Sequence, residues 1–363
     1  MKLAVISFTR QGGTLCGRLT QGLQELGHNC TGYIQSRYLN ELSDCPGLCP
    51  VREPLGEWTK ARFYRLDGLV FIGAAGIAVR AVAPFVQDKK KDPAIVAVDD
   101  GGRFAVSLLS GHMGGANELA GVTAKIIGAV PVITTATDVS GKTAIDVWAR
   151  QRDLKWPDRE LAKRISAALL DGRPVGFYSD FLLAEPVPED FIKGQLCRYQ
   201  VWITACQKPE GRHIVSWFSD ETTQILRLIP RVLYVGIGCR KDTDEAMLFK
   251  QLKQVFLEHN LDFDAIAQIA SISLKEQETG LIRLAARLDV PFRVYLPETL
   301  NGLAGAFTTS EFVKSVTGVD NVCERAAIAG AGADGSLLVP KQAGNGITIA
   351  VASRRIKIKR NDI

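Results

Sequence analysis

The sequence predicts an α/β protein: a mostly parallel N-terminal α/β domain over residues 1–140, a middle segment over 141–229, and a smaller C-terminal α/β domain over 230–363. Three observations predict it. Apolar runs of strand length alternate with helix-length amphipathic stretches through the first part, as in chains that cover a sheet with helices. The same alternation resumes after Pro230. Glycine or proline stands at most junctions, where the chain must turn.

Taken in order, Leu3–Thr9 reads as a buried strand, Arg10-Gln11-Gly12-Gly13 as a turn, and Thr14–Leu26 as a helix ending at Gly27. Residues 35–60 carry Pro46, Pro50 and Pro54 and show no clear period. Asp67–Gly73 is strand-like, Ile77–Val82 helical up to Pro84, and Ala94–Val98 and Phe104–Leu109 are strands. Leu119, Val122, Ile126 and Ile127 mark a helix with Gly128 at its C-cap, and Val130–Thr134 returns as a strand. Residues 142–171 read as helical with a break near Pro157. Val175–Tyr178, Arg198–Ile203, His213–Trp217 and Thr223–Leu228 are short strand-like pieces. Beyond Pro230 the expected order is strand Val232–Ile237, helix Thr243–Glu258, a strand near Ile269, helix Lys275–Leu288, strand Phe292–Leu296, helix Val322–Ala329, and strands Ser336–Val339 and Ile347–Ala352.

Composition narrows the class. With 363 residues, 46% of them hydrophobic and 23% charged, the chain is neither disordered nor a coiled coil. A net charge of +5 from 44 basic and 39 acidic residues selects no partner by itself. Clustered, those cations would suit a multiply anionic ligand. A nucleic-acid role would need a recognition helix rich in Arg and Lys, or an aromatic–basic strand motif, and neither is present. Arg10 interrupts the apolar Leu3–Phe8 run before a signal-peptide core forms, and no apolar stretch approaches the ~20 residues of a membrane span. The expectation is a cytoplasmic protein without a membrane partner. Eight scattered cysteines then read as free thiols rather than a disulfide framework. Cys45 and Cys49 lack the second pair or nearby histidines of a zinc site, so no bound metal is expected.

Several glycine motifs could carry chemistry. Gly12 to Leu19 has phosphate-loop glycine spacing, but Arg18 and Leu19 replace the lysine and hydroxyl residue that contact phosphate and magnesium, which leaves a turn able to hold an anion at a helix N-terminus. Gly236-Ile237-Gly238-Cys239-Arg240-Lys241 lacks the third glycine of a dinucleotide fingerprint and reads as a tight turn, with Arg240 and Lys241 able to receive a carboxylate. Ser110-Gly111-His112-Met113-Gly114-Gly115-Ala116-Asn117-Glu118 is the most informative stretch. It puts a hydroxyl, an imidazole, an amide and a carboxylate among three glycines, between a strand and a helix. The imidazole is poised near neutral pH. Asn117 and Glu118 would equally cap the helix and offset its dipole. Asp99-Asp100 supplies either a base or a turn. Arg80 and Lys89-Lys90-Lys91 form a solvated face or hold carboxylates. Thr134 and Thr135 offer hydroxyls at a sheet edge or cap the next helix.

These residues also resemble a known family in order and spacing. Gly76-Ile77-Ala78-Val79-Arg80, Asp88-Lys89 through Asp92-Pro93-Ala94, Ser107 through Leu119, and Val132 through Asp138 are similar to the CbiG pattern. Val235 through Arg240 and Leu338-Val339-Pro340-Lys341-Gln342 resemble that family's terminal domain. Met113 and Ala94 stand where the pattern has leucine and valine. The resemblance spans most of the chain and is weakest in residues 35–60 and 150–230.

What the resemblance implies is a cobalt-precorrin-5A hydrolase of anaerobic cobalamin biosynthesis. Such an enzyme opens the ring A δ-lactone of a cobalt-bearing tetrapyrrole and releases a two-carbon piece as acetaldehyde, giving cobalt-precorrin-5B. No resident cofactor is implied, because the substrate carries the cobalt. Transient contact with neighbouring pathway enzymes is compatible with it. Set against that chemistry, His112 is the expected acid/base with Asp99 or Glu118 as partner, and the amides near Gly114 and Gly115 serve an oxyanion. Arg80, Lys89 and Arg240 are expected to hold peripheral carboxylates. Ser110, Gly111, Asn117, Thr134, Thr135, Gly236 and Gly238 complete the expected binding set. A non-catalytic tetrapyrrole carrier is the alternative that the same loops would serve.

Overall fold

A computed structural model describes residues 1–35, 47–88, 91–111, 114–135, 140–208 and 222–360. The chain divides into two compact units, Met1–Val147 and Trp148–Asp362. The fold is α/β in both, as the sequence predicts.

In the first unit the described strands are β1 (Lys2–Ser7), β2 (Asn29–Gln35), β3 (Cys49–Val51), β4 (Gly68–Ile72), β5 (Ala94–Val98), β6 (Phe104–Leu109) and β7 (Val130–Val132). They form one sheet in the order β3-β2-β1-β4-β5-β6-β7. Every neighbouring pair is parallel except β5 and β6. β4 and β5 are buried at every residue, which is why they read as continuous apolar runs rather than alternations. Helices α1 (Arg10–Glu25) and α4 (Ala116–Ile127) cover one face through Leu19, Leu23, Leu119 and Ile127. Helices α2 (Leu55–Phe63) and α3 (Ala75–Val82) cover the other through Trp58, Phe63, Ala78 and Val82.

Three expectations change here. The Arg10–Gly13 turn is the first turn of α1: Thr9 Oγ1 accepts from Gly12 N at 2.9 Å, so the helix starts at Arg10. A methyl on Gly12 would lie 2.8 Å from Asp100 Oδ1, so a carboxylate of the chain itself already sits at this helix N-terminus. The unpatterned stretch before residue 60 contains β3 and α2. Its signal is one buried tryptophan, with Trp58 set edge-on against Tyr33 and Phe71, and a single aromatic anchor makes no period. The strand after Gly128 is shorter than expected and ends at Val132. Gly128 is a left-handed C-cap at φ 75°, as read from the sequence.

Helix α5 (Ile145–Arg150) spans the division between the units. The second unit begins with β8 (Leu154–Lys155), helix α6 (Arg159–Leu170), β9 (Val175–Ser179), β10 (Leu182–Leu183), β11 (Ile192–Lys193), β12 (Tyr199–Ile203) and β13 (Gln224–Pro230). A sheet in the order β11-β9-β12-β13-β8 results, parallel except at β8. The strand expected at His213–Trp217 lies outside the described residues. The chain continues through β14 (Leu233–Cys239), α7 (Glu245–Glu258), β15 (Ile266–Ile272), α8 (Thr279–Arg287), β16 (Phe292–Tyr295), α9 (Pro297–Asn301), α10 (Glu311–Thr317), α11 (Val322–Ala331), β17 (Gly335–Gly344), β18 (Ile347–Arg354) and β19 (Lys357–Ile358). Here the sheet order is β16-β15-β14-β18-β17, with β14 to β16 parallel and β17 and β18 antiparallel. Ala205, just past β12, and Ile229 of β13 join Leu233, Phe256 and Ile349 in one buried core. Arg227 pairs with Asp262 across the same seam.

Two more expectations shift in this unit. Gly236 and Gly238 lie within β14 rather than in a turn after it. The helix expected from Lys275 starts as a short 3-10 segment, Ser273–Lys275, and α8 proper begins at Thr279. Arg325 fastens the loops near α9: its guanidinium holds Asp320 at 2.7 and 3.2 Å and donates to Leu300 O at 2.9 Å. Hydrogen bonding from Arg325 holds the Asp320 carboxyl below its usual range. A depressed folded value stabilises above the unfolded one, so this contribution is lost as pH falls below about 4. Asp320→Asn is therefore expected to cost about 1 kcal/mol at pH 7 and little near pH 3, checked by urea unfolding at both.

Candidate functional site

Strand direction decides what the loop after β6 can meet. Because β6 runs against β5, Leu109 pairs with Ile95 while Ala105 pairs with Val98. The chain therefore leaves β6 where it enters β5. β7 is parallel to β6, so Thr134 and Thr135 emerge at that same end.

Here the expected residues converge. Ser107 Oγ donates to Asn117 Oδ1 at 2.7 Å, and Asn117 Nδ2 donates to Thr135 Oγ1 at 2.8 Å. The amide of Asn117 thus ties the β6 end, the α4 start and the segment after β7 together. Ala116 N and Asn117 N donate to Ser110 O and Gly111 O, both at 3.1 Å, folding the loop back onto the helix. A methyl on Gly111 would lie 2.7 Å from Asn117 Oδ1, and one on Gly114 2.2 Å from Ser110 Cβ. Those glycines serve the packing of the loop. Gly115 precedes the helix, and Glu118 sits half-buried in its first turn, where a carboxylate offsets the dipole. Thr134 is exposed beside Thr135.

Ser110 is the unusual member. It holds φ at 60°, a left-handed backbone uncommon outside glycine, asparagine and aspartate. It is 8% exposed, and its Oγ has no hydrogen-bond partner among the described residues. A strained residue with an orphaned hydroxyl carries two unfavourable terms at one position, and such strain clusters at functional sites. The sequence named Ser110 but could not show this conformation.

Asp99 does not join this group. It closes the β5–β6 turn at the opposite end of the sheet: Oδ1 accepts from Arg103 N at 2.7 Å and Phe104 N at 2.6 Å, and Oδ2 faces Arg103 Nε at 3.4 Å. Burial pushes the Asp99 carboxyl up, but the two amides and the guanidinium outweigh it and hold it below its usual range. A carboxylate so engaged is a turn former. Asp100 accepts from Thr9 Oγ1 nearby, and a cavity of about 300 Å³ there is lined by Gly73, Ala74, Ala75 and both aspartates. Arg80 is exposed in the last turn of α3. His112, Met113, Lys89 and Lys90 lie outside the described residues, as do Cys45 and Ala136–Val139.

In the second unit, Gly238 and Arg240 line a cleft of about 810 Å³ between the ends of β14 and β18 and helix α10. Gly236 is absent from its lining: a methyl there would lie 1.8 Å from Cys323 O, so this glycine admits the α11 backbone against the sheet. The sequence reading missed Lys275, Phe312 and Val316 in that cleft, and met Lys341 only within a family pattern. A signal for two of them existed, since Phe312 and Val316 stand four apart on a short polar helix.

The described cysteines are free. Burial pushes the Cys16 thiol up to about 12, making it an inert core group. Among the described residues no group of three or more His, Cys, Asp or Glu side chains forms a metal site, and no helix is long and apolar enough to cross a membrane.

Comparison with known proteins gives the family of the chain. Three family profiles match in order: "Cobalamin synthesis G N-terminal" over residues 57–138, "Cobalamin biosynthesis central region" over 143–218 and "Cobalamin synthesis G C-terminus" over 233–352. The chain is 36% identical over 285 residues to a cobalt-precorrin-5A hydrolase of Salmonella typhimurium, covering 77% of this chain and 81% of that protein. It is 33% identical over 303 residues to a cobalt-precorrin-5A hydrolase of Priestia megaterium, covering 80% and 79%. Among solved structures, a putative cobalamin biosynthesis protein G homolog from Sulfolobus solfataricus aligns over 97% of each chain at 23% identity with a TM-score of 0.40. With its profiles matched in order and its relatives covered over most of their length, the chain belongs to the cobalamin synthesis G (CbiG) family.

Proposed function

We propose that this chain is a cobalt-precorrin-5A hydrolase: it opens the ring A δ-lactone and releases the two-carbon fragment as acetaldehyde, leaving cobalt-precorrin-5B. The observation that carries this reading is the 36% identity to a hydrolase of that name across 81% of its length. Cobalt enters as part of the substrate, and the scheme uses no cofactor of the protein. The reaction runs in the cytoplasm, a reading supported by free thiols in every described cysteine.

The chemistry divides into two steps. Water adds to the lactone carbonyl, the acyl C–O bond breaks, and the released oxygen takes a proton to become an alcohol. That alcohol then loses its proton, the carbon–carbon bond to the macrocycle breaks, and acetaldehyde departs. The electron pair passes into the macrocycle, which takes up the proton. The first step needs a proton donor and acceptor and a stabilised oxyanion, the second a base.

The Ser110–Glu118 loop supplies these in our assignment. His112 moves the protons, with Glu118 as its partner. Asp99 drops out of that role because its carboxylate closes a turn at the other sheet end. Ser110 Oγ and the amides of Gly114 and Gly115 donate to the oxyanion at the start of α4. Asn117, fixed between Ser107 and Thr135, orients the loop and the ring A side chain. Anaerobic incubation of the purified protein with cobalt-precorrin-5A, with acetaldehyde read by coupled alcohol dehydrogenase, is expected to give one acetaldehyde per substrate consumed. Substrate binding without acetaldehyde would identify a carrier instead.

A further inference from the structure

The 810 Å³ cleft of the second unit has a composition unlike the rest of the chain. Four of its lining residues are cationic, Arg240, Lys241, Lys275 and Lys341, and none is acidic, although the whole chain nearly balances 44 basic against 39 acidic residues. Lys275 is paired with Glu278 at 2.8 Å. Arg240, Lys241 and Lys341 have no ionic partner among the described residues. The space between these cations is apolar and open. Leu274, Phe312 and Val316 line it at 64%, 77% and 63% exposure, among the most exposed large apolar side chains of the molecule. Exposed apolar side chains gathered in one concavity mark a binding surface rather than random scatter.

The cleft is held open by buried structure. Glu324, 1% exposed, accepts from Lys341 N, Thr308 N and Asn321 Nδ2, each at 2.8 Å, and so fixes the β17 wall to α11 and the loop before α10. The walls therefore exist before any ligand arrives.

Resting on the proposed function, we infer that this cleft docks the tetrapyrrole macrocycle, its apolar face against Phe312, Val316 and Leu274 and its peripheral carboxylates on Arg240, Lys241 and Lys341. A macrocycle with apolar faces and several peripheral carboxylates is the ligand whose chemistry matches both halves of the lining. A nucleotide would seek amides at a helix N-terminus, and an apolar peptide would leave three unpaired cations beside it.

The test uses the full chain and cobalt uroporphyrin, a cobalt tetrapyrrole whose side chains are all carboxylates, titrated by its visible absorption. Lys241→Glu combined with Lys341→Glu should raise Kd by about tenfold or more, with an effect that shrinks as salt rises. Phe312→Ala should weaken binding several-fold with little salt dependence, and at 77% exposure it leaves folding intact. Lys163→Glu, at an exposed position of α6, should change nothing. The inference is overturned if the wild-type chain fails to bind the porphyrin, if the cleft variants bind it as tightly as wild type, or if Lys163→Glu weakens binding as much as they do. Displacement by a single-stranded oligonucleotide at matching affinity would also overturn it. Normal acetaldehyde release and KM in cleft variants would leave the proposed reaction standing and remove the cleft. Porphyrin binding lost in cleft variants, with no acetaldehyde from wild type, would do the reverse.

Discussion

Ser110→Gly should make the protein more stable and a much poorer catalyst. The left-handed backbone at φ 60° costs serine roughly 1 kcal/mol more than glycine. The buried Oγ, unpartnered among the described residues, adds a desolvation penalty of about 1–3 kcal/mol. Against this stand the packing of the lost side chain and the extra freedom of an unfolded glycine, about 0.5–1 kcal/mol. The balance is a gain of about 1 kcal/mol in the first unit. Trp58, buried and the sole tryptophan of residues 1–147, adds that unit's unfolding to the signal of four further tryptophans, so the effect is read as the difference between variant and wild-type fluorescence transitions. Turnover should fall about 10²-fold, the usual effect of losing one oxyanion donor. His112→Ala should lose about 10²–10⁴-fold, without relief of backbone strain at Ser110. A Ser110→Gly protein that is stabilised and fully active would reduce the strain to a structural accident. One that is destabilised would mean that the hydroxyl is satisfied in solution.

Gly236→Ala is expected to be the most damaging single methyl in the second unit. The added Cβ would stand 1.8 Å from Cys323 O and 2.7 Å from Ala327 N, both helix backbone, so no side-chain rotation relieves the clash. Either α11 moves off β14 or the strand deforms. Overpacking in a rigid core costs about 1–3 kcal/mol and more where backbone must shift, so we expect about 3 kcal/mol or above. For a unit of this size that lowers Tm by about 6–12 °C, readable by calorimetry. Gly121→Ala is the matching control. It lies within α4 with nothing within 4 Å of the new methyl, and should stabilise by about 1 kcal/mol. Equal effects at the two glycines would refute the close-approach explanation.

The α/β class and most strands were legible in the sequence because a strand buried on both faces must be apolar throughout, as β4 and β5 are. The loop from Ser110 to Glu118 stood out because three glycines among polar groups, between a strand and a helix, mark a turn. Chain order alone also located α4 and its Gly128 cap. Helix α2 escaped notice because it is anchored by Trp58 rather than by a period, and α9 and α10 because helices of five and seven residues are too short to repeat one.

What local sequence could not contain was direction and distance. Asp99 and the Ser110 loop are neighbours in the chain but sit at opposite ends of the sheet, because β6 turns back against β5, and a hairpin of equal composition could equally have been a crossover. Gly236 and Gly238 look alike in sequence, yet one admits a helix backbone and the other lines the cleft. Arg240, Lys275, Phe312 and Lys341 share that cleft across a hundred residues of chain. The residues alone determined the α/β class, the family resemblance and the loop to examine. Only the tertiary structure decided which of those residues meet, since side chains far apart in sequence are brought together by strand pairing and helix packing, which no local pattern encodes.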